Sequence, residues 1–271
     1  IGGLYAEENV KRALQLLETA WKRGVDIACF PEDYPSEGEK EICAKAKDLG
    51  IMTIASFSGL NPDGTYYDET IAVNADGEVI GMHRKATLCW TFEPDLTKPG
   101  KEYNIFKTKW GNTGILKCWE IAFPEPIYSM TLSGADIIFN PSNWMSNLLE
   151  LLHHILLVRS FENHMPIVAV NSARWRKTDL IYKAEKLSPY YGGKSIVVLP
   201  ENISGLEEAT LRSFANEVYF TKESLFKAEA GDEEEILFCE VDLASYRDVR
   251  LDFLKNRSQS KECFKRGREG G

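Results

Sequence analysis

The sequence predicts an α/β protein in which helices are layered on mixed sheets, and three observations support this class. Amphipathic helical segments alternate with short apolar segments along the first part of the chain. The joints between these segments are short and contain glycine, which is typical of layered α/β domains. Two further apolar segments flank an Asp-Gly turn at 76–77, so an antiparallel hairpin is added to the predicted sheet.

The amino-terminal half contains two predicted helices and four predicted strands. Apolar residues recur at helical spacing from Ala6 onward, and Gly24 provides a natural helix end. Gly50 ends the second helix in the same way. The predicted elements are helices over 6–24 and 37–49 and strands over 25–30, 51–57, 66–74 and 78–84.

The second half follows an irregular segment over 83–101, and a loop of that length in a compact domain is usually functional or disordered. The helix predicted over 147–163 is apolar on more than one side, which favours a position at a subunit interface. Strands are predicted over 103–108, 112–117, 137–140, 167–172, 194–199 and 236–242, helices over 124–133, 147–163 and 243–251, a loop over 173–193, a short helix with a hairpin within 204–234, and an extended arm from Asn256.

Composition limits the classes of protein to consider. The chain has 271 residues, 44% of them hydrophobic, and shows no repeat or linker, so we expect a single domain over 1–271. A net charge of −9 argues against binding of nucleic acid or anionic membranes, and no apolar segment is long enough to span a bilayer. The six cysteines are scattered without metal-ligand spacing, which indicates reduced thiols in a cytoplasmic protein.

The most informative segment is 114–125, Gly-Ile-Leu-Lys-Cys-Trp-Glu-Ile-Ala-Phe-Pro-Glu. An apolar strand ends at Cys118, and Pro124 with Glu125 marks the start of a helix. A cysteine at such a corner lies beside unpaired backbone N–H groups, which favour the thiolate and can hold a developing oxyanion. The alternative is that Cys118 is a small buried residue of the core.

Two other predicted strand ends carry groups that suit the same chemistry. Glu32 follows the first strand in Phe-Pro-Glu, and Lys85 follows the hairpin in His-Arg-Lys. Ligands of open α/β sheets gather where strands end. A carboxylate could take the thiol proton, the thiolate could attack, and the ammonium could stabilise the resulting charge. Each residue alone has a plain alternative, namely a solvated turn acid, an exposed strand terminus or a core thiol, but the combination favours a covalent hydrolase.

These residues resemble the nitrilase superfamily of carbon–nitrogen hydrolases. That family has a Glu in a Phe-Pro-Glu context, a Lys after His-Arg or Tyr-Arg, and a Cys followed two residues later by an acid, which match Glu32, Lys85 and Cys118. The resemblance extends over nearly the whole chain. Further matching segments are 123–125, 134–138, 162–163, 168–171, 193–195 and 240–243.

The resemblance implies an αββα sandwich of mixed sheets flanked by helices, assembled as a homodimer or a larger homo-oligomer. It implies hydrolysis of a non-peptide C–N bond with no metal and no cofactor. Glu93, eight residues after Lys85, resembles the residue that positions the substrate and supports the base. The backbone N–H of Trp119 would assist Lys85 at the oxyanion. Two features depart from the family pattern: the strand that should precede the first helix is not found, and 204–230 resembles an insertion.

The expected partner is a small-molecule amide or nitrile. The Phe-Pro-Glu after the cysteine favours a carboxamide, converted to a carboxylate and ammonia through a thioester on Cys118. Hydrolysis of a nitrile or an N-carbamoyl amine, acyl transfer to an amine, and a non-catalytic scaffold of the same fold are the alternatives. Asn143, Trp144 and Arg174 are candidate pocket residues, and Arg174 is a candidate ligand for a substrate carboxylate, although a solvated loop charge is the plainer reading.

Overall fold

The computed structural model describes residues 6–89, 93, 97–176, 180–182, 185–187, 190–200, 208, 211–212, 214–215 and 225–255. The tail from Asn256 and most of the candidate insertion over 204–230 therefore lie outside the described residues. Within the described part, no helix is long and apolar enough to cross a membrane.

The first sheet and its two helices come from the amino-terminal part of the chain. The helices are α1 (Ala6–Lys22) and α2 (Glu39–Leu49), and the strands are β1 (Ile27–Cys29), β2 (Pro35–Ser36), β3 (Met52–Leu60), β4 (Tyr66–Val73) and β5 (Val79–Arg84). The strand order is β1-β3-β4-β5, with β2 also paired to β3. Strands β1 and β2 run parallel to β3, whereas β3, β4 and β5 form an antiparallel meander. Gly50, at a φ of 65°, ends α2 in the left-handed conformation that glycine adopts without strain.

The second sheet is formed by later segments of the chain. Its strands are β6 (Ile105–Lys107), β7 (Asn112–Ile115), β8 (Ile137–Ser142), β9 (Ile167–Asn171), and two strands further along, while its helices are α3 (Pro124–Leu132), α4 (Leu149–Asn163) and α5 over 244–255. Between β9 and those later strands lie β10 (Trp175–Arg176) paired with β13 (Tyr190–Tyr191), and β11 (Leu180–Tyr182) paired with β12 (Glu185–Leu187). The sheet is completed by β14 (Ile196–Val198) and β15 (Phe226–Glu229), in the order β15-β14-β9-β8-β7-β6.

Three buried clusters stack the layers on one another. Apolar residues of α1 and α2 pack on one face of the first sheet, as Leu17 and Ile42 do against Phe57. The opposite face of that sheet packs on the second sheet, where Ile54 and Phe139 share a cluster. A third cluster joins the far face of the second sheet to α3 and α4. The arrangement is an αββα sandwich, and the predicted fold class is confirmed.

The predicted loop over 173–193 is wrong, because it contains the short strands β10 to β13. The predicted strand over 236–242 is also wrong, since those residues pair with no strand in the described structure. The edge of β14 that this segment would need is occupied by β15. Its apolar side chains instead pack beside Val197 and Leu199, as Leu237 and Val241 do. The apolar side chains of 236–242 are therefore partly buried without pairing of their backbone to a strand.

Helix α5 is fastened to the second sheet by a buried ion pair. The guanidinium of Arg250, only 4% exposed, donates to the carboxylate of Asp136 at 3.1 Å and to the carbonyls of Ala135 and His164 at 2.7 and 3.2 Å. Arg247, with its side chain 54% exposed, binds the same carboxylate at 2.9 Å. One acid therefore anchors two turns of α5 at the start of β8.

Replacing Arg250 with methionine is expected to lower the free energy of unfolding by about 3 kcal/mol, because it removes the guanidinium donor from the buried carbonyls of Ala135 and His164 and the buried cation from Asp136. Arg247→Met is the matched control, since it removes an exposed partner of the same acid and should cost less than about 1 kcal/mol. Urea unfolding of both variants measures the difference. Equal losses would contradict the assignment of Arg250 as the buried anchor.

Candidate active site

Three of the residues singled out in the sequence meet at adjacent strand ends. Glu32 follows β1, Lys85 follows β5, and Cys118 lies just beyond β7. The Lys85 Nζ atom is 2.8 Å from Glu32 Oε1 and 2.7 Å from Glu93 Oε1. The Cys118 thiol lies close enough to the carboxylate of Glu32 to act as a donor that lowers the pKa of that group. Glu32 is 4% exposed and Lys85 is 1% exposed, so bulk water barely reaches this ion pair.

The backbone at Cys118 makes a sharp corner. Its φ of 46° lies in the left-handed region, which is unfavourable for a residue with a side chain and is found at strained functional turns. The Nδ2 amide of Asn140 on β8 donates to the carbonyl of Leu116 at 2.7 Å and to that of Cys118 at 3.4 Å. The backbone N–H of Asn143 donates to the Cys118 thiol. These contacts hold the sulfur at the end of the strand.

Glu120 ties this corner to the segment that carries Lys85. One of its carboxylate oxygens accepts from the backbone N–H of Lys117 at 2.6 Å and lies 2.6 Å from Nε2 of His83. The other oxygen accepts the backbone N–H groups of Ala86 and Thr87 at 2.7 and 3.1 Å. Since Glu120 is fully buried, it acts as a rigid link between β5 on the first sheet and the end of β7 on the second.

The charges of the site are set by burial and by the neighbouring groups. Burial acts to raise the pKa of Glu32, but the ammonium groups of Lys85 and Lys117 outweigh it and hold that pKa below its ordinary value. Burial acts to lower the pKa of Lys85, but the negative charges of Glu32 and Glu93 and the other neighbouring groups together outweigh it, so the pKa is raised. Burial and the charge of Glu32 together raise the pKa of Cys118. These directions favour a carboxylate at Glu32, an ammonium at Lys85 and a neutral thiol at Cys118, against the expectation that this corner favours the thiolate.

Glu93 differs from Glu32 although both contact Lys85. Burial raises the pKa of Glu93 and the charge of Glu32 adds to that effect, against the opposing charge of Lys85. Its second oxygen accepts the backbone N–H of Cys89 at 2.6 Å. Two carboxylates thus share one ammonium, and the pKa of Glu93 is pushed up while that of Glu32 is held down.

The other residues predicted for the pocket divide into two groups. Trp119 directly follows Cys118, and its ring packs on the ring of Trp144 with centroids 5.5 Å apart. Asn143 contacts the thiol through its backbone N–H and lies 3.4 Å from an Asp33 carboxylate oxygen through its side-chain amide. Arg174 is exposed, and its guanidinium forms ion pairs with Asp232 and Glu233. These two acids neutralise the positive charge of Arg174 that would otherwise attract a substrate carboxylate.

Sequence reasoning missed three residues that line or adjoin the site. Burial, and then the charge of Glu32, raise the pKa of Tyr191, which places this phenol near the carboxylate. Its segment was predicted to be a loop, so no sequence signal marked it. Asp33, at a φ of 55°, directly follows Glu32 and could have been suspected from that position. Lys117 directly precedes the cysteine and is fully buried. Its position as a charged residue at the end of an apolar segment was a signal that could have identified it.

The described residues include no group of three or more His, Cys, Asp or Glu side chains placed to hold a metal ion. The residues that meet at the strand ends instead suit acid–base and nucleophilic chemistry at a carbonyl or nitrile carbon. A carboxylate beside a thiol can accept its proton, and a nearby ammonium can stabilise a developing anion. A site of this composition could support attack by a thiol at such a carbon.

Comparison with known proteins identifies the family of this chain. The family model for carbon-nitrogen hydrolases matches residues 4–204, so the chain belongs to this family. It is 33% identical over 142 residues to a probable nitrilase of Schizosaccharomyces pombe, covering 52% of this chain and 49% of that protein. It is 26% identical over 172 residues to a 2-oxoglutaramate amidase of Bacillus subtilis, covering 62% of this chain and 66% of that protein. The chain thus spans about half to two thirds of the length of these two relatives.

A longer match covers nearly the whole chain. The omega-amidase of Xenopus tropicalis is 23% identical over 290 residues, covering 95% of this chain and 91% of that protein. Among solved structures, a carbon-nitrogen hydrolase from Helicobacter pylori superposes with a TM-score of 0.76 at 21% identity, covering 92% of this chain and 89% of that one. An amidase from Nesterenkonia gives a TM-score of 0.68 at 17% identity over 94% and 92% of the two chains. The predicted resemblance to the nitrilase superfamily is confirmed.

Replacing Glu120 with glutamine is expected to lower the free energy of unfolding by about 3 kcal/mol near pH 7, because the new NH₂ group faces N–H donors that it cannot satisfy. Burial raises the pKa of Glu120, but His83 and the backbone donors outweigh this and hold the pKa below its ordinary value of 4.5. Its contribution to stability is therefore complete above that value and is lost as the pH falls through the lower folded-state pKa.

Urea unfolding at pH 7 and at pH 3.5–5 measures this effect, and the gap between wild type and Glu120→Gln should narrow in acid. Glu125→Gln is the control, since Glu125 is exposed at the start of α3 and should give a small, nearly constant difference. A gap at Glu120 that does not change with pH would contradict an ionised, buried link.

Proposed function

We propose that the protein hydrolyses a small carboxamide to a carboxylate and ammonia through a covalent thioester on Cys118. The observation that carries this proposal is the position of Glu32, which lies 2.8 Å from the ammonium of Lys85 and beside the thiol of Cys118, whose donor group acts on its pKa. Acyl transfer to a thiol requires a base that removes the thiol proton and a cation that stabilises the developing oxyanion, and both groups are present here.

Each step assigns a proton to a named group. Glu32 takes the thiol proton as the Cys118 sulfur attacks the carbonyl carbon, and the oxyanion lies between Lys85 and the backbone N–H of Trp119. The tetrahedral adduct collapses, the C–N bond breaks, and Glu32 returns its proton to the leaving nitrogen, which departs as ammonia. Glu32 then removes a proton from water as the water attacks the thioester, and it returns that proton to the Cys118 sulfur as the C–S bond breaks. The product leaves as the carboxylic acid and loses its proton to the solvent, which leaves a carboxylate. Glu93 holds Lys85 in place from the other side.

Relatives support the choice of an amide over the other C–N substrates. Proteins named as a 2-oxoglutaramate amidase and an omega-amidase are among those that match the chain. A structurally similar amidase carries the acetamide moiety of fluoroacetamide on its active-site cysteine. Proteins named as N-carbamoylputrescine amidases also match, so N-carbamoyl amines are the second candidate class.

We also propose that the protein assembles as a homodimer or a larger homo-oligomer in the cytoplasm. Apolar side chains that are 41–53% exposed lie on α3 and α4, the helices of one outer layer. They are Leu132, Leu151, Val158 and Phe161. An apolar face of this kind is typical of an interface between subunits. The free thiols of Cys29, Cys43, Cys89, Cys118 and Cys239 support a reducing compartment.

The proposed function predicts ammonia release from one class within a panel of short aliphatic amides, ω-amides of dicarboxylic acids, N-carbamoyl amines and nitriles. Cys118→Ala should abolish the release, because it removes the nucleophile, while leaving thermal unfolding close to wild type. Cys43→Ala is the matched control, since Cys43 is a half-buried thiol on α2 and should leave activity intact.

Release that persists in Cys118→Ala would contradict the thioester route. Release from nitriles or N-carbamoyl amines alone, lost in Cys118→Ala, would replace the amide assignment while keeping the nucleophile. Absence of release from every substrate in the panel would contradict a hydrolytic function on amides, nitriles or N-carbamoyl amines.

A further inference from the structure

The residue directly before the candidate nucleophile is a second buried lysine. Lys117 is fully buried, and its Nζ atom binds the Oδ1 atom of Asp68. Lysine is rarely buried unless it is paired, because removing an ammonium from water costs several kcal/mol or more. The ammonium of Lys117, one residue from Cys118, is therefore a buried group of the site and not a solvated surface charge.

Asp68 contacts both lysines of the site. It lies on β4, and its backbone carbonyl accepts the backbone N–H of Lys85 at 3.1 Å. Its carboxylate binds the side chain of Lys117. Asp68 thus holds the backbone of Lys85 through its carbonyl and pairs with the ammonium of Lys117 through its carboxylate. The carboxylate of Asp68 is 14% exposed, so solvent reaches it more readily than it reaches Lys117.

A single lysine does not balance the acids of the site. Lys85 contacts two carboxylates, Glu32 at 2.8 Å and Glu93 at 2.7 Å, so one positive charge is shared between two acids. Asp33 and Glu120 are also negative groups that face Lys117. The acids of this buried cluster outnumber its lysines, and an excess of negative charge favours protonation of a carboxylate, so a second cation reduces that tendency.

We propose that Lys117, with Asp68 as its counterion, is a positioning residue that supplies the second positive charge at the base and keeps Glu32 ionised. This inference rests on the proposed function, because it assigns Glu32 as the base. The groups that face Glu32 are Lys85, Lys117, Cys118, Glu93 and Tyr191. Lys117 is the second cation among them after Lys85, and its charge helps to hold the pKa of Glu32 down.

Burial lowers the pKa of Lys117, and the charges of Asp33, Glu32 and Glu120 act to raise it. The Asp68 carboxylate is in ion-pair contact with the Lys117 Nζ atom, so it also favours the charged amine. Loss of the Asp68 carboxylate would further favour the neutral amine, which carries no charge to Glu32. Removal of either partner should therefore have the same consequence for the base. Removal of both should have no larger effect than removal of one, because the pair acts as a unit.

The test is the pH dependence of kcat/KM on the amide that responds in the panel, for wild type, Lys117→Met, Asp68→Asn and the double variant. Glu32 must be ionised to act, so activity falls on the acid side, and both single variants should move that limb upward by about one pH unit. The double variant should move it no further than the larger single shift. Asp68→Asn, the milder change, keeps the test in force if Lys117→Met does not fold.

The matched control is Glu69→Gln. Glu69 is the next residue on β4 and forms an ion pair with Arg84, so this variant breaks a neighbouring ion pair and should leave the acid limb in place. A purely structural loss would lower kcat at every pH without moving the limb. An unmoved limb in the folded Lys117 or Asp68 variants, or shifts that add in the double variant, would overturn the inference.

A second readout separates this inference from the proposed function. The rate of Cys118 alkylation by iodoacetamide, measured against pH, does not require an amide substrate. Lys117→Met should shift the alkylation profile to higher pH and slow the reaction about tenfold at pH 7, because a cation near the thiolate is lost. A shift in this profile without amide hydrolysis by the wild type would overturn only the proposed function. Hydrolysis by the wild type without either shift would overturn only the role of Lys117.

Discussion

The buried contact between Glu32 and Lys85 is the constraint on which the rest of the site depends. An ion pair that is almost fully removed from water is stable only when its remaining donors and acceptors are also satisfied. The Lys85 ammonium uses Glu93 as a second acceptor, and the Glu32 carboxylate lies beside the Cys118 thiol. The two carboxylates therefore depend on the same cation, and removal of Lys85 would leave both without it among apolar layers.

This constraint explains why the site lies between the two sheets. Glu32 and Lys85 follow strands of the first sheet, whereas Cys118 follows a strand of the second. The Ile54 and Phe139 layer fixes the spacing of the sheets but has no directional contacts that could fix their register. Glu120 supplies that direction, since its two oxygens bind His83, Ala86 and Thr87 on one side and Lys117 on the other.

Local patterns were sufficient to predict the elements whose signals are local. Helices α1 and α2 have amphipathic spacing and glycine ends, and Cys118 stands at a strand-to-helix corner that the sequence makes visible. The three strand-end residues were found because each follows an apolar run. The structure then brings them together, and Glu93 joins them through a loop whose neighbours at 90–92 and 94–96 lie outside the described residues.

The misses have a common physical cause, which is competition between segments far apart in the sequence. The 236–242 segment has the pattern of a strand, but β15 occupies the only neighbouring edge of β14 in the described sheet, and no local signal reveals which of the two would pair. Tyr191 and Lys117 depend on charges supplied by other elements. The same applies to the thiol, whose neutral state follows from burial beside an existing carboxylate.

The neutral thiol has a consequence for how such a site would accelerate a reaction. Burial raises the pKa of Cys118, and the lysines hold the pKa of Glu32 down. Both effects make transfer of the thiol proton to Glu32 unfavourable before a substrate is bound. That transfer places a negative charge on sulfur and removes one from Glu32, so Lys85 remains close to one anion throughout. Once a carbonyl is bound, the same charge moves on to its oxygen, where an ammonium and a backbone N–H can stabilise it. The interaction that is strongest is then the one made in the transition state, and the resting site avoids a reactive thiolate.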